Sequence, residues 1–197
     1  VIKGGSSAYL PSLVKTFSNK IEINSQIKYI DRKETEVHIH HQDGTFESFD
    51  QVVVATHSDQ ALQLLKSPTE EETEVLGRIP YEDNSVVLHY DDSLLPKNKK
   101  TWSSWNYKLR EGKSDHPTLT YNMNILQGIQ AKQTFCVTLN ASQSIADNKI
   151  IRSFEYAHPV FSHESIDGAR KIAALNGINR TWYAGAYLGN GFHEDGV

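Results

Sequence analysis

Hydrophobic positions in the first fifty residues change from helical to strand-like spacing. Between Ser6 and Phe17 they recur at the period of an amphipathic helix, after Gly4-Gly5 and a serine able to cap the helix. Shorter apolar runs with strand spacing follow, and Asp43-Gly44 is a strong two-residue hairpin signal. The strands that this pattern predicts cover residues 21–23, 27–30, 36–41 and 46–49.

The run from Asp50 to His57, Asp-Gln-Val-Val-Val-Ala-Thr-His, has a different character. Its continuous apolar centre predicts a strand covered on both faces, as in a parallel α/β sheet. Ser58 or Asp59 can cap a helix that runs to Leu65. Pro68-Thr69 begins another helix with three glutamates in its first turn, where carboxylates favour the helix dipole, so the acidic run is interpreted as helix-start chemistry.

From Tyr81 onward the chain is dominated by strand-like segments that are separated by Pro, Gly, Asn and Asp turns. Five such segments in succession predict a largely antiparallel sheet. A helix over 163–175 closed by Gly177, and a short buried strand at 182–184, follow it. The fold class is therefore α/β (α+β). The five segments are 84–90, 102–109, 119–125, 134–139 and 151–156.

Composition narrows the class of protein. The chain has 197 residues, 38% of them hydrophobic, and a formal net charge of −4, which gives no long-range attraction for nucleic acid or anionic lipid. Cys136 is the single cysteine, so we expect a buried core thiol, no internal disulfide and a reducing, cytoplasmic setting. No apolar run is long enough for an integral membrane segment. Because the chain starts abruptly at Val1 and ends abruptly, we expect a fragment of a longer protein.

An aromatic set accompanies the predicted antiparallel sheet. Asparagines lie among its members, so one sheet face is both aromatic and polar. Such a face is either a wall of the core or a wall that faces a partly apolar small-molecule substrate, and the sequence leaves both open. The set consists of Trp102, Trp105, Tyr107, Tyr121 and Met123.

Two other motifs suggest chemistry but do not carry it. His38 and His40 would share one strand face, yet no third ligand of matching type lies nearby, so we assign no metal site and interpret them as a solvated strand face. Ser103-Ser104 has no Gly-x-Ser-x-Gly elbow around it, which argues against a serine hydrolase.

The last seventeen residues concentrate the groups expected at a ligand site. Gly185, Gly189 and Gly191 follow the short strand and allow tight turns and a close approach of the backbone to a ligand. Three acid or base side chains come after Phe192 and are followed by Gly196. These are His193, Glu194 and Asp195.

Taken in order, several segments resemble the predicted NAD/FAD-binding flavoproteins of the amine-oxidase-like superfamily, which includes monoamine oxidases and phytoene desaturases. Each segment is weak alone, but their order and spacing cover the chain from Gly4 to Val197. The segments are Asp50–Leu62, Trp102–Tyr107, Met123-Asn124, Leu126-Gln127, Val137–Asn140, His158-Pro159, Ala184–Ala186 and Gly191–Gly196.

The resemblance implies an FAD-dependent oxidoreductase that oxidises a small organic substrate by hydride transfer to the flavin. It implies three parts: residues 1–80, a partial FAD-binding region with the N-terminal helix, the hairpin strands and a strand Val52–Thr56; residues 81–160, the substrate-binding sheet; and residues 161–197, a helix and a truncated flavin-contacting motif. His193 is the candidate residue facing flavin or substrate. The residues implied to lie along the cofactor are Ile27, Ala55, Thr56, His57, Gly185, Gly191, Glu194, Asp195 and Gly196.

The chain departs from this superfamily because it lacks the Gly-x-Gly-x-x-Gly loop that holds the pyrophosphate. We therefore expect FAD in the full-length protein and weak or no binding by this chain, which we expect to be inactive and able to self-associate through apolar surface. A non-catalytic interaction module on a degenerate flavoprotein fold is the alternative.

Overall fold

The structure is a computed structural model that describes residues 4–108 and 118–196. Helices and strands alternate irregularly, with ten strands and five α-helices in the described part of the chain. In chain order they are α1 (Leu10–Val14), β1 (Ile27–Arg32), β2 (Val37–His41), β3 (Phe46–Phe49), β4 (Val52–Val54), α2 (Ser58–Leu64), α3 (Glu70–Leu76), β5 (Tyr81–His89), β6 (Trp105–Lys108), β7 (Thr118–Asn122), α4 (Met123–Gln127), β8 (Cys136–Leu139), β9 (Ile150–Pro159), α5 (His163–Leu175) and β10 (Thr181–Tyr183).

The chain divides into two compact units. One contains the described residues of Val1–Ile21 and Asp83–Ala157, and the other contains Glu22–Glu82 and the described residues of His158–Val197. The helical segment at the start of the chain thus groups with the five-stranded sheet. It is a 3₁₀ turn, Ser6–Tyr9, followed by the short α1, and not one continuous helix from Ser6 to Phe17.

In the second unit, β1, β2 and β3 form an antiparallel three-stranded sheet in that order. The predicted hairpin turn at Asp43-Gly44 is confirmed: Gly44 has a φ of 89°, and Asp43 Oδ1 accepts a 2.9 Å hydrogen bond from the Thr45 N–H. No strand forms at 21–23. The inner face of the sheet carries Ile30, Val37 and Ile39, which join the hydrophobic core of this unit.

Strands β4 and β10 form a separate parallel pair, with Val53 opposite Trp182 and Val54 opposite Tyr183. Val54 and Tyr183 are buried in the core with α2, α3 and α5 residues, whereas Val53 is 64% exposed and Trp182 is 41% exposed. The expectation that this strand is covered on both faces was therefore wrong. The strand also ends at Val54, two residues before the predicted Thr56.

The five-stranded sheet of the first unit has the order β6-β7-β8-β5-β9, and the β6, β7, β8 and β5 pairings are antiparallel as predicted. Its third segment was predicted to continue to residue 125. Instead β7 stops at Asn122, whose side chain accepts a 3.2 Å hydrogen bond from the Ile125 N–H and caps α4. Met123 is therefore helical.

This sheet departs from the usual arrangement, in which the buried face is apolar and the exposed face is polar. The buried face is largely polar: His89 Nε2 lies 2.7 Å from Thr138 Oγ1, which lies 2.9 Å from Thr120 Oγ1. Because the Asp91 N–H donates to His89 Nδ1 at 3.1 Å, the ring proton is on Nε2, and burial lowers the pKa of this histidine. These hydrogen bonds offset the cost of burying His89, Thr138 and Thr120 inside the unit.

No helix within residues 4–108 and 118–196 is both long and apolar enough to cross a lipid bilayer.

Candidate functional site

The carboxyl ends of β4 and β10 lie side by side. Val54 pairs with Tyr183 in a parallel register, and the Ala184 N–H donates a 3.1 Å hydrogen bond to the Val54 carbonyl. Two of the predicted cofactor segments, 55–57 and 184–196, therefore leave the sheet at the same edge. Ligands of open α/β sheets bind at such carboxyl edges, where the loops diverge.

The segment after β4 holds an aromatic and polar group. His57, the N-cap residue of α2, stacks on Tyr81 with a ring separation of 4.4 Å and an interplanar angle of 17°. The Ser58 N–H donates a 2.9 Å hydrogen bond to the Tyr81 hydroxyl. Ala55 is exposed and small, so a ligand can come close to the backbone at this position.

Three buried polar atoms in this region lack a hydrogen-bond partner among the described residues: His57 Nδ1, Asp59 Oδ1 and the Tyr187 hydroxyl. Burial, with a smaller effect of Tyr81, raises the pKa of Tyr187, which keeps its hydroxyl neutral and able to donate. Because an unpaired buried polar atom costs about 1 to 3 kcal/mol, such atoms are unusual outside ligand sites and water sites.

The glycine-rich loop after β10 folds back on itself. The Gly191 N–H donates to the Ala186 carbonyl at 3.0 Å, and Asp195 Oδ2 accepts a 2.9 Å hydrogen bond from the Phe192 N–H. A Cβ added at Gly189 would lie 2.5 Å from Asp195 Oδ1, so the carboxylate packs directly on that glycine. Asp195 is thus engaged within the loop itself.

Other predicted cofactor residues are placed as follows. Gly196 packs on the turn at Ala186, where an added Cβ would lie 3.5 Å from the Ala186 nitrogen. Ile27 is 42% exposed at the start of β1, which belongs to the three-stranded sheet and not to the β4–β10 pair. The backbone of His193 and Glu194 belongs to a terminal 3₁₀ turn, but their side chains lie outside the described residues.

The predicted aromatic wall is only partly assembled. Trp105 pairs with Tyr121 across β6 and β7, and Trp105 and Tyr107 are 62% and 59% exposed on the same open sheet face. Trp102 precedes the sheet and donates its Nε1–H to the Pro96 carbonyl at 2.8 Å, and Met123 lies in α4. Trp105 and Tyr107 are therefore not part of a core wall, whereas the role of the open face as a ligand wall stays a prediction.

Sequence reasoning missed the contribution of Tyr81, Asp59 and Tyr187. Tyr81 follows Ile79-Pro80 at the start of a strand, and nothing in its local pattern separates it from a core aromatic. Tyr187 lies among the glycines of the last loop, and a large aromatic residue in that position was a signal that could have been used. In the structure its side chain is only 5% exposed.

The described residues contain no group of three or more His, Cys, Asp or Glu side chains arranged to hold a metal ion. His38 and His40 do share a strand face, with ring centroids 6.1 Å apart, but His38 Nε2 pairs with Glu36 at 2.7 Å and His40 stacks on Tyr29.

No protein-family model matches the chain, and no curated protein matches it either. Solved structures do match. The CLA-producing fatty acid isomerase from P. acnes has a TM-score of 0.67 at 18% identity, over 98% of this chain and 49% of that chain. Putrescine oxidase bound to putrescine gives 0.62 at 10% identity, over 98% and 50%. Cyclohexylamine oxidase from Brevibacterium oxydans IH-35A gives 0.58 at 10% identity, over 93% and 48%.

The chain therefore has the amine-oxidase-like fold, and the predicted resemblance and fold class are confirmed at that level. It spans about half the length of these solved structures.

Proposed function

We propose that this chain is part of an FAD-dependent oxidoreductase that oxidises a small organic substrate by hydride transfer to the flavin. One observation carries the proposal: the parallel pairing of Val54 with Tyr183 brings the segment 55–57 beside the glycine-rich loop 184–196. The similarity to oxidases and an isomerase of the same fold supports it. The division into regions 1–80, 81–160 and 161–197 and a cytoplasmic setting belong to the same proposal.

The edge fits a dinucleotide with many hydroxyl groups. Small residues, Ala55 and Gly185, allow close approach of the backbone, and the orphaned polar atoms of His57, Asp59 and Tyr187 can donate to or accept from ligand oxygens. Residues 55–57, Gly185, Gly191 and 194–196 would line FAD. When bound, FAD supplies a ring that accepts hydride, so the protein needs no acid or base beyond positioning groups.

The open face of the five-stranded sheet is proposed as the substrate wall. Its exposed members, Trp105 and Tyr107, and their half-buried neighbour Tyr121 offer flat apolar contact with polar edges. The substrate is accordingly a partly apolar small molecule.

The test is the visible absorption spectrum of the protein expressed with its native flanking sequence, measured beside that of the 197-residue chain after both are purified with added FAD. We expect flavin bands in the longer protein and weak bands or none in the shorter one, since the chain has no Gly-x-Gly-x-x-Gly loop. A longer protein that binds no flavin would sink the oxidoreductase proposal and favour an interaction module on the same fold.

A further inference from the structure

A cavity of about 240 Å³ lies in the second unit between α5, the segment after β9 and the turn at 187–190. None of the residues predicted to line the cofactor contributes to it. Its walls are mainly apolar and include Ile79, Val160, Phe161, Ile166, Tyr187 and Leu188. It is therefore a second candidate site, which shares Tyr187 with the β4–β10 edge and is otherwise lined by different residues.

The cavity adjoins the glycine-rich loop. A Cβ added at Gly191 would lie 3.5 Å from the Cζ atom of Phe161, so the ring that lines the cavity touches a residue predicted to contact the cofactor. The loop itself also forms part of the cavity wall, through residues 187–190. A cavity of this size holds about 8 non-hydrogen atoms, taking the volume of about 30 Å³ per water molecule as the scale.

One positive charge borders the cavity. Arg170 lines it, and among the described residues no carboxylate pairs with this guanidinium. The nearest acid on the same helix face, Asp167, is already engaged by Arg78 at 2.8 Å and Lys171 at 2.9 Å. Arg170 is thus an exposed cation beside apolar walls, which favours an anionic group at the cavity mouth.

We infer that this cavity binds an apolar monocarboxylate, with its carboxylate on Arg170 and its chain along the apolar walls. The cavity uses none of the residues of the open sheet face proposed as the substrate wall, so as a binding site it stands independently of the proposed function. It distinguishes this chain from a protein that binds an amine, because an ammonium group beside Arg170 would be repelled.

Calorimetric titration of the 197-residue chain with octanoate, octanol and octylamine tests the charge preference at constant chain length. We expect octanoate to bind about tenfold or more tightly than either of the others, because a charge-assisted hydrogen bond to arginine adds to the shared apolar burial. The inference would be overturned if octylamine bound as tightly as octanoate. It would also be overturned if octanoate failed to bind at a protein concentration low enough that a second copy of the chain does not cover the cavity.

Variants assign the contacts. Arg170→Gln should weaken octanoate about tenfold and leave octanol unchanged, while Lys171→Gln, one residue along the helix and paired with Asp167, should leave both unchanged. An unchanged octanoate affinity in Arg170→Gln, with native near-ultraviolet circular dichroism, would contradict the site. No step of this experiment uses flavin, so the two proposals fail separately. Flavin bands without octanoate binding would refute only the inference about the cavity, and octanoate binding without flavin bands would refute only the oxidoreductase proposal.

Discussion

The hydroxyl of Tyr183 donates a 2.9 Å hydrogen bond to Glu72 Oε1 and thereby ties the last residue of β10 to the first turn of α3. The same carboxylate accepts hydrogen bonds from the Arg32 guanidinium, one of them at 2.9 Å, and from the Thr69 N–H at 2.8 Å. The side chains of Arg32 and Glu72 are 7% and 3% exposed. The strand end from which the glycine-rich loop leaves is thus held by a buried ion pair with every oxygen used.

Removing that carboxylate should be among the most damaging single changes in this unit. Glu72→Ala leaves Arg32 buried without its partner, and we expect a loss of about 3 to 5 kcal/mol in the free energy of unfolding. The exposed neighbour Glu71 offers the control, since Glu71→Ala should stay within about 0.5 kcal/mol. Urea unfolding followed by circular dichroism measures both. A cost below about 1 kcal/mol for Glu72→Ala would show that the pair is dispensable.

Acid should destabilise the protein through carboxylates with lowered pKa values. Hydrogen bonds from Lys66 and Lys33 lower the pKa of Asp31 from 3.8 to about 2. Burial raises the pKa of Asp91, but the Ala146 N–H, Lys149 and Ser93 outweigh it, and the net shift is downward. A group whose folded pKa is depressed contributes its stability above the unfolded pKa and loses it as pH falls through the folded pKa.

We therefore expect the free energy of unfolding to fall between pH 4 and pH 2, as the unfolded chain takes up protons that the folded chain does not. Asp31→Asn should reduce the steepness of that fall by about one proton at most. Urea unfolding of both proteins across this range gives the comparison. Parallel curves for the two proteins would mean that Asp31 has no coupling to folding.

Local patterns were enough to predict much of the fold. The Asp43-Gly44 turn, the antiparallel segments around β5 to β8 and the helix His163–Leu175 depend on residues close in the sequence, whose spacing records which side faces the core. The glycine-rich loop could also be predicted, because each glycine permits a conformation that other residues resist.

Contacts between distant residues could not be predicted. Glu72 was correctly interpreted as part of a helix start, and Thr69 does cap α3, but nothing local shows that it also pairs with Arg32, forty residues earlier. The polar layer of the five-stranded sheet was similarly hidden, since Thr138 meets His89 and Thr120 across 49 and 18 positions of the sequence. Val53 was predicted to be buried, but it is exposed, because an apolar run in the sequence does not show how many strands lie beside it.

Cys136 should be unreactive while the protein is folded. Its side chain is fully buried, as the sequence predicted, and burial, followed by the nearby Asp92 and Asp91, raises the pKa of the thiol to about 11. Thiolate is the reactive form, so labelling by iodoacetamide at pH 8 should proceed only after unfolding in urea. Mass spectrometry of both samples provides the measurement, and rapid labelling of the native protein would contradict the buried placement.

The open face of the five-stranded sheet should promote self-association. Trp105 and Tyr107 project from it largely exposed, and apolar patches of this kind favour contacts between molecules. Trp105→Ser with Tyr107→Ser should shift sedimentation toward monomer, whereas Ile23→Ser, at a position 79% exposed outside the sheet, should have no such effect. A monomeric wild-type protein at high concentration would contradict the prediction.

Gly185 should be irreplaceable for a steric reason. A Cβ at this position would lie 2.5 Å from Cε1 of Tyr187, and that ring is buried and cannot move cheaply. We expect Gly185→Ala to cost about 1 to 3 kcal/mol by overpacking and to displace Tyr187. Gly44→Ala is the matched control: its φ is also positive, at 89°, but an added Cβ there meets nothing within 4 Å, so only backbone strain of about 1 kcal/mol remains.

The two variants also separate loop geometry from general stability. In the longer protein, Gly185→Ala and Gly44→Ala are compared at urea concentrations that give the two variants equal free energies of unfolding. Under these conditions Gly185→Ala should bind less flavin than Gly44→Ala, because only Gly185→Ala moves the loop at the β4–β10 edge. Gly185→Ala should also lower the affinity for octanoate, because it displaces Tyr187, which lines the cavity. If both variants lose flavin in proportion to their stability alone, the loop from Gly185 does not position the cofactor.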